Sequence, residues 1–282
     1  MDNNIRVDDY SIGKHYRFED GYIMIPKHEY YETTFQNHKH VFYWNDINLK
    51  KRNVISLVVF DKLKIERIFP SIVYELKGLE YLQLPPHLVR QFDWTRLNHL
   101  EVFETDNANL KIKENVYLPN LVHLCNYKGT IEFTNKNLPC LKSIICKYTD
   151  SVMCSLLSYQ EMDNIMFCNV NENICGQLSL MKSIRKLDIL SGKTESINGI
   201  SQINGIENLH LNSLPYLFNV DELTDLPKLE ELWINTCKNI RSWNFLLRLK
   251  SLKRLTIFNC CGDSSYRQVS KELRTRGISG IY

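Results

Sequence analysis

One pattern of aliphatic residues recurs about every 22 residues along most of this chain. Between Leu79 and Leu84 the pattern is Leu-x-x-Leu-x-Leu, with Leu82 at its centre. A single unit of this kind has an apolar stripe that it cannot bury alone, so neighbouring units must stack to form a continuous core. The pattern therefore predicts an array of similar units. A chain of 282 residues is also near the size at which a single compact core stops growing.

Ten units can be aligned by their first aliphatic position. These positions are Val54, Leu79, Leu97, Leu121, Leu141, Met162, Ile184, Ile206, Leu229 and Leu252. The successive intervals are 25, 18, 24, 20, 21, 22, 22, 23 and 23 residues, with a mean of 22. Such a period is typical of repeats that each supply one strand to a parallel sheet and one short helical stretch to the opposite wall.

The pattern resembles that of the leucine-rich repeat superfamily from about Val54 to about Cys260. Residues 229–237 and 252–260 complete the family's longer pattern by adding Cys at the final position. The resemblance implies an α/β fold: a horseshoe-shaped solenoid with a parallel concave β-sheet and short convex helices or 3₁₀ turns. It also implies caps at both ends, and we expect the chain to be bacterial.

Several units depart from the family pattern. Leu214, Thr149 and Gly129 occupy the final position in their units, while Asn126 and Cys146 replace the third aliphatic residue. We therefore expect an irregular ladder of side-chain to backbone hydrogen bonds. The register of the middle repeats stays open.

The ends of the chain predict caps that cover the exposed core and open strand edges of a solenoid. We assign residues 1–50 to a β-rich N-terminal cap, 51–262 to the solenoid and 263–282 to a C-terminal cap. Residues 15–25 indicate two strands joined by an Asp-Gly turn, and residues 40–44 indicate another strand.

The C-terminal cap is predicted to be a helix followed by an edge strand. Asp263 or Ser264 can begin the helix, Gly277 ends it, and residues 278–282 follow as the strand. One face of this helix carries Tyr266, Val269 and Leu273.

Residues between the buried positions of each strand are expected on the concave face, because side chains alternate along a strand. These positions mix both charge signs and include large apolar groups, which are typical of anchors in protein interfaces. The predicted partner-binding residues are Tyr81, Phe103, Tyr127, Met166, Leu190, His210, Trp233, Arg254 and Phe258. For Ile145 and Met166, an inward orientation after a slip in register is equally consistent with the pattern.

Composition excludes several classes of function. With 35 Lys and Arg against 32 Asp and Glu, the chain carries a net charge of +3 and lacks a single-sign stripe for nucleic acid. No apolar run approaches the roughly 18 residues of a membrane span. The N-terminus shows no basic stretch followed by an apolar segment, so we expect no secretory signal. The nine Cys residues include no Cys-x-x-Cys pair. We therefore expect free thiols and a cytoplasmic protein that binds neither nucleic acid nor membranes.

Two constellations could carry chemistry. His38 and His40, near His15 and His28 in the N-terminal cap, could bind a metal, but no carboxylate or Cys spacing accompanies them. Cys125 beside His123 could form a nucleophile and base, yet no oxyanion donor loop or orienting group is identifiable. The expectation is that the chain has no catalytic residue, metal or cofactor.

The favoured interpretation is a non-catalytic module that binds a protein partner through its concave sheet. An immunity protein that neutralises a cognate bacterial toxin would fit this description, by fold-level analogy. An adaptor or a host-directed bacterial effector scaffold is the alternative, and a Cys/His hydrolase is a third interpretation. The sequence leaves self-association and the partner's identity open.

Overall fold

A computed structural model describes residues 22–25, 41–42, 56–59, 73–181, 183–260 and 264–280. The chain divides into two compact units, Met1–Ser143 and Ile144–Tyr282. Each unit carries parallel strands that recur once per repeat.

Among its described residues, the first unit has a sheet of six parallel strands. They are β1 (Tyr22–Ile25), β2 (Val41–Phe42), β3 (Ser56–Val59), β4 (Tyr81–Gln83), β5 (Val102–Asp106) and β7 (His123–Tyr127). Their order is β7-β5-β4-β3-β1-β2, and all the neighbours in this order pair in parallel. A second parallel sheet pairs β6 (Asn109–Lys111) with β8 (Thr130–Glu132). Stacked strands of this kind confirm a leucine-rich repeat fold.

The structure corrects the predicted start of the third repeat. Leu82 pairs with Phe103, and Phe103 pairs with Leu124. The third repeat therefore begins at Leu100, 21 residues after Leu79 and 21 residues before Leu121. The prediction chose Leu97, which lies three residues earlier, the same spacing that separates the first two aliphatic positions of a unit. Phe103 consequently points inward and is fully buried, which contradicts its predicted place on the sheet face.

The second unit repeats the same design with greater regularity. Its strands are β9 (Ser143–Lys147, which starts at the last residue of the first unit), β10 (Asn164–Val170), β11 (Lys186–Gly192), β12 (Asn208–Asn212), β13 (Glu231–Asn235) and β14 (Arg254–Phe258). From β10 to β14 each strand pairs in parallel with the next. The buried residues Leu187, Leu209, Leu232 and Leu255 form one aligned row.

Short helical stretches connect the strands, as the pattern of one apolar residue in three predicts. In the first unit they are α1 (Pro86–Val89) and the 3₁₀ turn Trp94–Arg96. In the second they are α2 (Asp150–Leu156), α3 (Cys175–Leu178) and the 3₁₀ turns Ile200–Gln202, Asp221–Asp225 and Asn244–Arg248. The predicted inward residues of two of these stretches, Ile197, Ile200, Ile203, Leu214, Leu217, Val220 and Leu223, are all buried.

Cysteine thiols bond backbone groups between the last repeats of the second unit. The Cys237 thiol lies 3.6 Å from the carbonyl oxygen of Leu211 in the preceding repeat. The Cys260 thiol lies 3.7 Å from the carbonyl oxygen of Ile234, and it accepts a hydrogen bond from the backbone N–H of Cys237. The final position of the repeat therefore serves here to satisfy backbone groups that the strands leave unpaired.

Other side chains perform this role where the final position lacks a Cys. Asn126 is fully buried, accepts a hydrogen bond from the N–H of Ala108 at 3.0 Å and donates to the carbonyls of Ala108 and Thr130. Asn137 donates to two carbonyls of the preceding repeat, and Thr194 donates to the carbonyl of Val170 at 3.0 Å. The ladder is therefore irregular in position, as predicted.

A left-handed residue follows or interrupts most strands at the same place in the repeat. These non-glycine residues are Asn107, Lys128, Asn169, Ser191, Ser213, Thr236 and Asn259, with φ between 50° and 61°. The N–H of Ser213 donates to the carbonyl of Asn235, and the N–H of Thr236 donates to that of Phe258. The left-handed turn redirects the chain while its N–H still bonds to the next repeat.

A helix lies where the C-terminal cap was predicted, and a single bridging residue is described in the stretch where the edge strand was predicted. Helix α4 (Ser264–Thr275) buries Val269 and Leu273, and Tyr266 packs edge-on against the buried Trp243. After the helix, Ser279 forms a parallel bridge with Arg254 at the edge strand. The predicted strand at residues 40–44 corresponds to β2, whereas the first strand of the predicted N-terminal hairpin lies outside the described residues. The assigned cap and solenoid boundaries stay a prediction.

We expect Asn126→Leu to destabilise the chain, although leucine restores the family pattern. The substitution removes the partners of the Ala108 N–H and carbonyl inside the core, and such a loss costs about 2–4 kcal/mol. Urea denaturation measures the change. The control is Cys146→Val at the equivalent buried position of the next repeat, which we expect to cost less than about 1.5 kcal/mol. Equal stability of Asn126→Leu and the parent would contradict the structural role of the amide.

Candidate functional site

One face of the sheet in the second unit carries large apolar side chains that are more exposed than those of any other described strand. We call it the open face and define it by the outward residues Asn164, Met166, Lys186, Asp188, Leu190, Asn208, His210, Asn212, Glu231, Trp233, Asn235, Arg254, Thr256 and Phe258. Trp233 is 42% exposed and Phe258 is 66% exposed. All-parallel sheets usually have both faces covered, so exposed aromatic residues on such a face are unusual.

A carboxylate, an imidazole and an indole form a row across the open face. Asp188, His210 and Trp233 are direct register partners on three neighbouring strands. Nδ1 of His210 lies 2.9 Å from Oδ1 of Asp188, which is only 3% exposed. The ring of His210 meets that of Trp233 edge-on at 5.3 Å between centroids. The buried carboxylate thus fixes the imidazole, and the imidazole supports one side of the indole.

Acidic and basic side chains on the open face are paired with each other. Nζ of Lys186 lies 3.9 Å from Asp188, and the guanidinium of Arg254 bonds the carboxylate of Glu231 on the neighbouring strand. The hydrogen bond to Glu231 raises the pKa of Arg254. The neutral amides are also paired, because Asn235 donates to Oδ1 of Asn212 at 3.1 Å. The polar groups therefore frame the apolar ones without a net charge.

Six of the nine predicted partner-binding residues lie together on the open face. They are Met166, Leu190, His210, Trp233, Arg254 and Phe258. Met166 and Ile145 are both half-buried and take outward positions on their strands. Sequence reasoning missed Asp188 as part of the site. The signal for it was an acidic residue one repeat before His210, at the same position in the pattern.

The other three predicted residues belong to the first unit and are not comparably accessible. Phe103 is in the core, and Tyr81 is only 9% exposed. Tyr127 is half-buried, with Nζ of Lys128 lying 4.9 Å from the centroid of its ring. The predicted binding surface is therefore concentrated in the second unit.

A chain of buried polar groups occupies the sheet of the first unit where exposed residues were predicted. The hydroxyl of Tyr81 donates to Glu104 at 2.7 Å, and Glu104 lies 3.7 Å from Nε2 of His123. Nδ1 of His123 lies 2.8 Å from the hydroxyl of Ser143. Burial raises the pKa of Glu104 to about 7, against the opposing hydrogen bond from Tyr81. Burial also lowers the pKa of His123 to about 4.

This burial weakens the hydrolase interpretation of Cys125 and His123. His123 is 2% exposed and Cys125 is 8% exposed, so neither presents a reactive atom to a substrate. Ser143, which contacts the imidazole, is fully buried as well. The four His residues of the imagined metal site lie outside the described part of the chain. Within the described part, no three His, Cys, Asp or Glu side chains converge as metal ligands.

The second unit also has apolar groups on the loops that follow its strands. Tyr216 is 49% exposed and Phe218 is 56% exposed. A cavity of about 500 Å³ is lined by Phe218, Val220, Asp221, Asn239, Arg241 and Ser242. It brings one acidic and one basic side chain together, with no bias in charge. Among the described residues, none of the helices has the length and apolar character to span a bilayer.

No protein-family model matches the sequence, and no curated protein matches it. Among solved structures the chain is similar to internalin C2 of Listeria monocytogenes, with 15% identity, a TM-score of 0.38, and coverage of 59% of this chain and 84% of that chain. It is similar to a second Listeria monocytogenes internalin, with 16% identity, a TM-score of 0.44, and coverage of 68% and 57%. It is also similar to a leucine-rich repeat protein of Leptospira interrogans, with 17% identity, a TM-score of 0.43, and coverage of 75% of this chain and 62% of that chain. These values carry no argument about function, and the fold is established by the chain's own strand register.

Glu104→Gln should change stability in a pH-dependent way. The folded-state pKa of Glu104, about 7, lies above its ordinary value of 4.5, so the parent loses stability as pH rises through this interval. Glutamine does not titrate and can still accept from Tyr81. At pH 8 the variant should therefore be more stable by on the order of 2–3 kcal/mol, and near pH 4.5 the difference should vanish.

Urea denaturation at pH 4.5, 6 and 8 measures this difference. The lowered pKa of His123 makes stability fall below pH 6.5, but it does so in both proteins. The matched control is Glu132→Gln, because Glu132 is an exposed carboxylate paired with Lys111. If the free energies of unfolding of Glu104→Gln and the parent differed by the same amount at all three pH values, the raised pKa of Glu104 would be refuted.

Proposed function

We propose that this leucine-rich repeat solenoid is a non-catalytic binding module that holds a protein partner on the open face of its second unit. One observation carries the proposal: Trp233 and Phe258 stand exposed on neighbouring strands of a parallel sheet. Exposed aromatic side chains rimmed by polar residues are typical of the centres of protein interfaces. Burial of both rings would supply the main part of the binding free energy.

The strands favour binding because they hold the contact residues in place before a partner arrives. Each open-face strand is hydrogen-bonded to its neighbours along five or more register pairs. Little backbone entropy is then lost on association. Asp188 and His210 add to this by supporting the indole of Trp233. The site is therefore preorganised at its centre.

The class of partner is a narrower proposal. A bacterial toxin, bound by this chain as its immunity protein, is the leading candidate, and a host protein bound by an adaptor or effector is the alternative. Both rest on fold-level analogy. A neighbouring gene for a toxin, with toxicity suppressed by co-expression of this chain, would support the first candidate. A translocation phenotype would support the second.

Site-specific crosslinking tests the binding face. The photoreactive residue p-benzoylphenylalanine is placed at Trp233 or Phe258, and the chain is irradiated in native lysate. We expect both positions to crosslink one protein, because both rings would be covered by the same partner. The matched controls carry the crosslinker at Tyr117 and Leu180, which are 56% and 73% exposed but lie off the sheet. Capture of the same protein from all four positions would show that the open face is not special.

Alanine substitutions then measure the contribution of each ring. Trp233→Ala and Phe258→Ala should each weaken the affinity for the crosslinked protein about 10- to 100-fold, as truncation of a central aromatic anchor does. Tyr117→Ala and Leu180→Ala should change it less than about two-fold. Isothermal titration calorimetry provides the affinities. Unchanged affinity of the Trp233→Ala, Phe258→Ala double variant would eliminate this face as the binding site.

A further inference from the structure

Strands β10–β14 carry equal numbers of acidic and basic residues on the open face. Lys186 and Asp188 lie on one strand, while Glu231 and Arg254 lie on neighbouring strands. Each acid has a base beside it, at 3.9 Å for Lys186 and Asp188 and in direct hydrogen-bond contact for Arg254 and Glu231. His210 is bonded to Asp188 as well. The formal charges of these four side chains are therefore compensated within the face.

The burial of Asp188 makes its pairing costly to disturb, whereas the pair of Arg254 and Glu231 lies nearer the surface. The side chain of Asp188 is 4% exposed and that of Glu231 is 28% exposed. Separating a buried charge from its counter-ion leaves it unpaired in a medium of low dielectric constant. A charged group that packs against Asp188 would have to break this pairing or be buried without a counter-charge. Both alternatives oppose association.

Pairing continues at the starts of the strands. Arg185 lies 3.4 Å from Asp163, and Lys253 lies 2.7 Å from Glu230, in each case one repeat away. Among the described residues, Glu207 is an acid at a strand start for which no basic partner lies within 4 Å. It precedes β12 and is outside the open face. Apart from Glu207, the charges at these strand starts are therefore paired.

From this arrangement we propose that the open face fits a partner segment without charged side chains, composed of apolar and aromatic residues that cover Trp233 and Phe258. The inference rests on the proposed function and narrows it to one kind of partner surface. Association is then driven by burial of apolar area and gains nothing from electrostatic steering. Affinity is expected to be nearly independent of salt.

A random peptide library provides a defined probe. A phage-displayed library of 12-residue peptides is selected on the immobilised full chain, and peptides that also bind the Trp233→Ala, Phe258→Ala double variant are removed. We expect the remaining peptides to be rich in aromatic and aliphatic residues and depleted in Asp, Glu, Lys and Arg relative to the unselected library. A synthesised peptide from this pool should lose less than two-fold in affinity between 50 and 500 mM NaCl, roughly as expected when no ion pair forms.

Opening one ion pair provides the internal comparison. Glu231→Gln removes the counter-charge of Arg254, and the same selection on this variant should enrich peptides that contain Asp or Glu. The matched control is Glu132→Gln, which frees Lys111 from an equivalent pair in the first unit. This control should leave the selected composition unchanged. Circular dichroism before selection confirms that both variants keep the parent's fold.

The possible outcomes separate this inference from the function on which it rests. Uncharged peptides that require Trp233 and Phe258 would support both. Charged peptides that require the same two residues, or a loss of affinity above ten-fold in salt, would overturn the neutral-partner inference and leave the binding face intact. If every selected peptide also binds the double variant, so that none remains after the removal step, both would be overturned.

Discussion

The whole structure depends on burial of one apolar stripe per repeat against the next repeat. Leu209 lies in one row with Leu187 on one neighbouring strand and Leu232 on the other, and all three are fully buried. No single repeat could bury these side chains alone, so the stability of the fold comes from stacking of the repeats. This requirement fixes the parallel direction of the strands, because each unit must enter and leave the stack at the same place. Backbone groups at the corners then need partners of their own.

Those corners show how a divergent sequence can keep a regular fold. Among the described residues, four side chains bond backbone carbonyls of a preceding repeat from three different positions in the pattern. They are those of Cys237 and Cys260, which share the final position, and those of Asn126 and Thr194. The physical demand is for a polar side chain that reaches the unpaired carbonyl, and several residue types meet it. Individual repeats can therefore lose the family pattern while the backbone geometry persists.

The same distinction explains what the sequence could predict. Periodicity located the strands and inward residues from β11 to β14, because aliphatic spacing there is unambiguous. It failed at the third repeat, where Leu97 and Leu100 fit one template and only pairing with Leu82 and Leu124 decides between them. Nor could spacing reveal that Glu104 is buried although it points outward from its strand. Alternation specifies the face toward which a side chain points, but not what covers that face. Burial there is a tertiary property.

An uncovered parallel sheet that binds a protein, as we propose, also has to be compatible with water while it is unbound. The open face meets this demand by surrounding Trp233 and Phe258 with paired charges and paired amides. These polar side chains make the face compatible with solvent, and the charges of Lys186, Asp188, Glu231 and Arg254 sum to zero. Paired groups also limit what can replace the water, because a charged partner would have to disturb them. On the proposed function, neutrality of the face would therefore serve selectivity as well as exposure of the two rings.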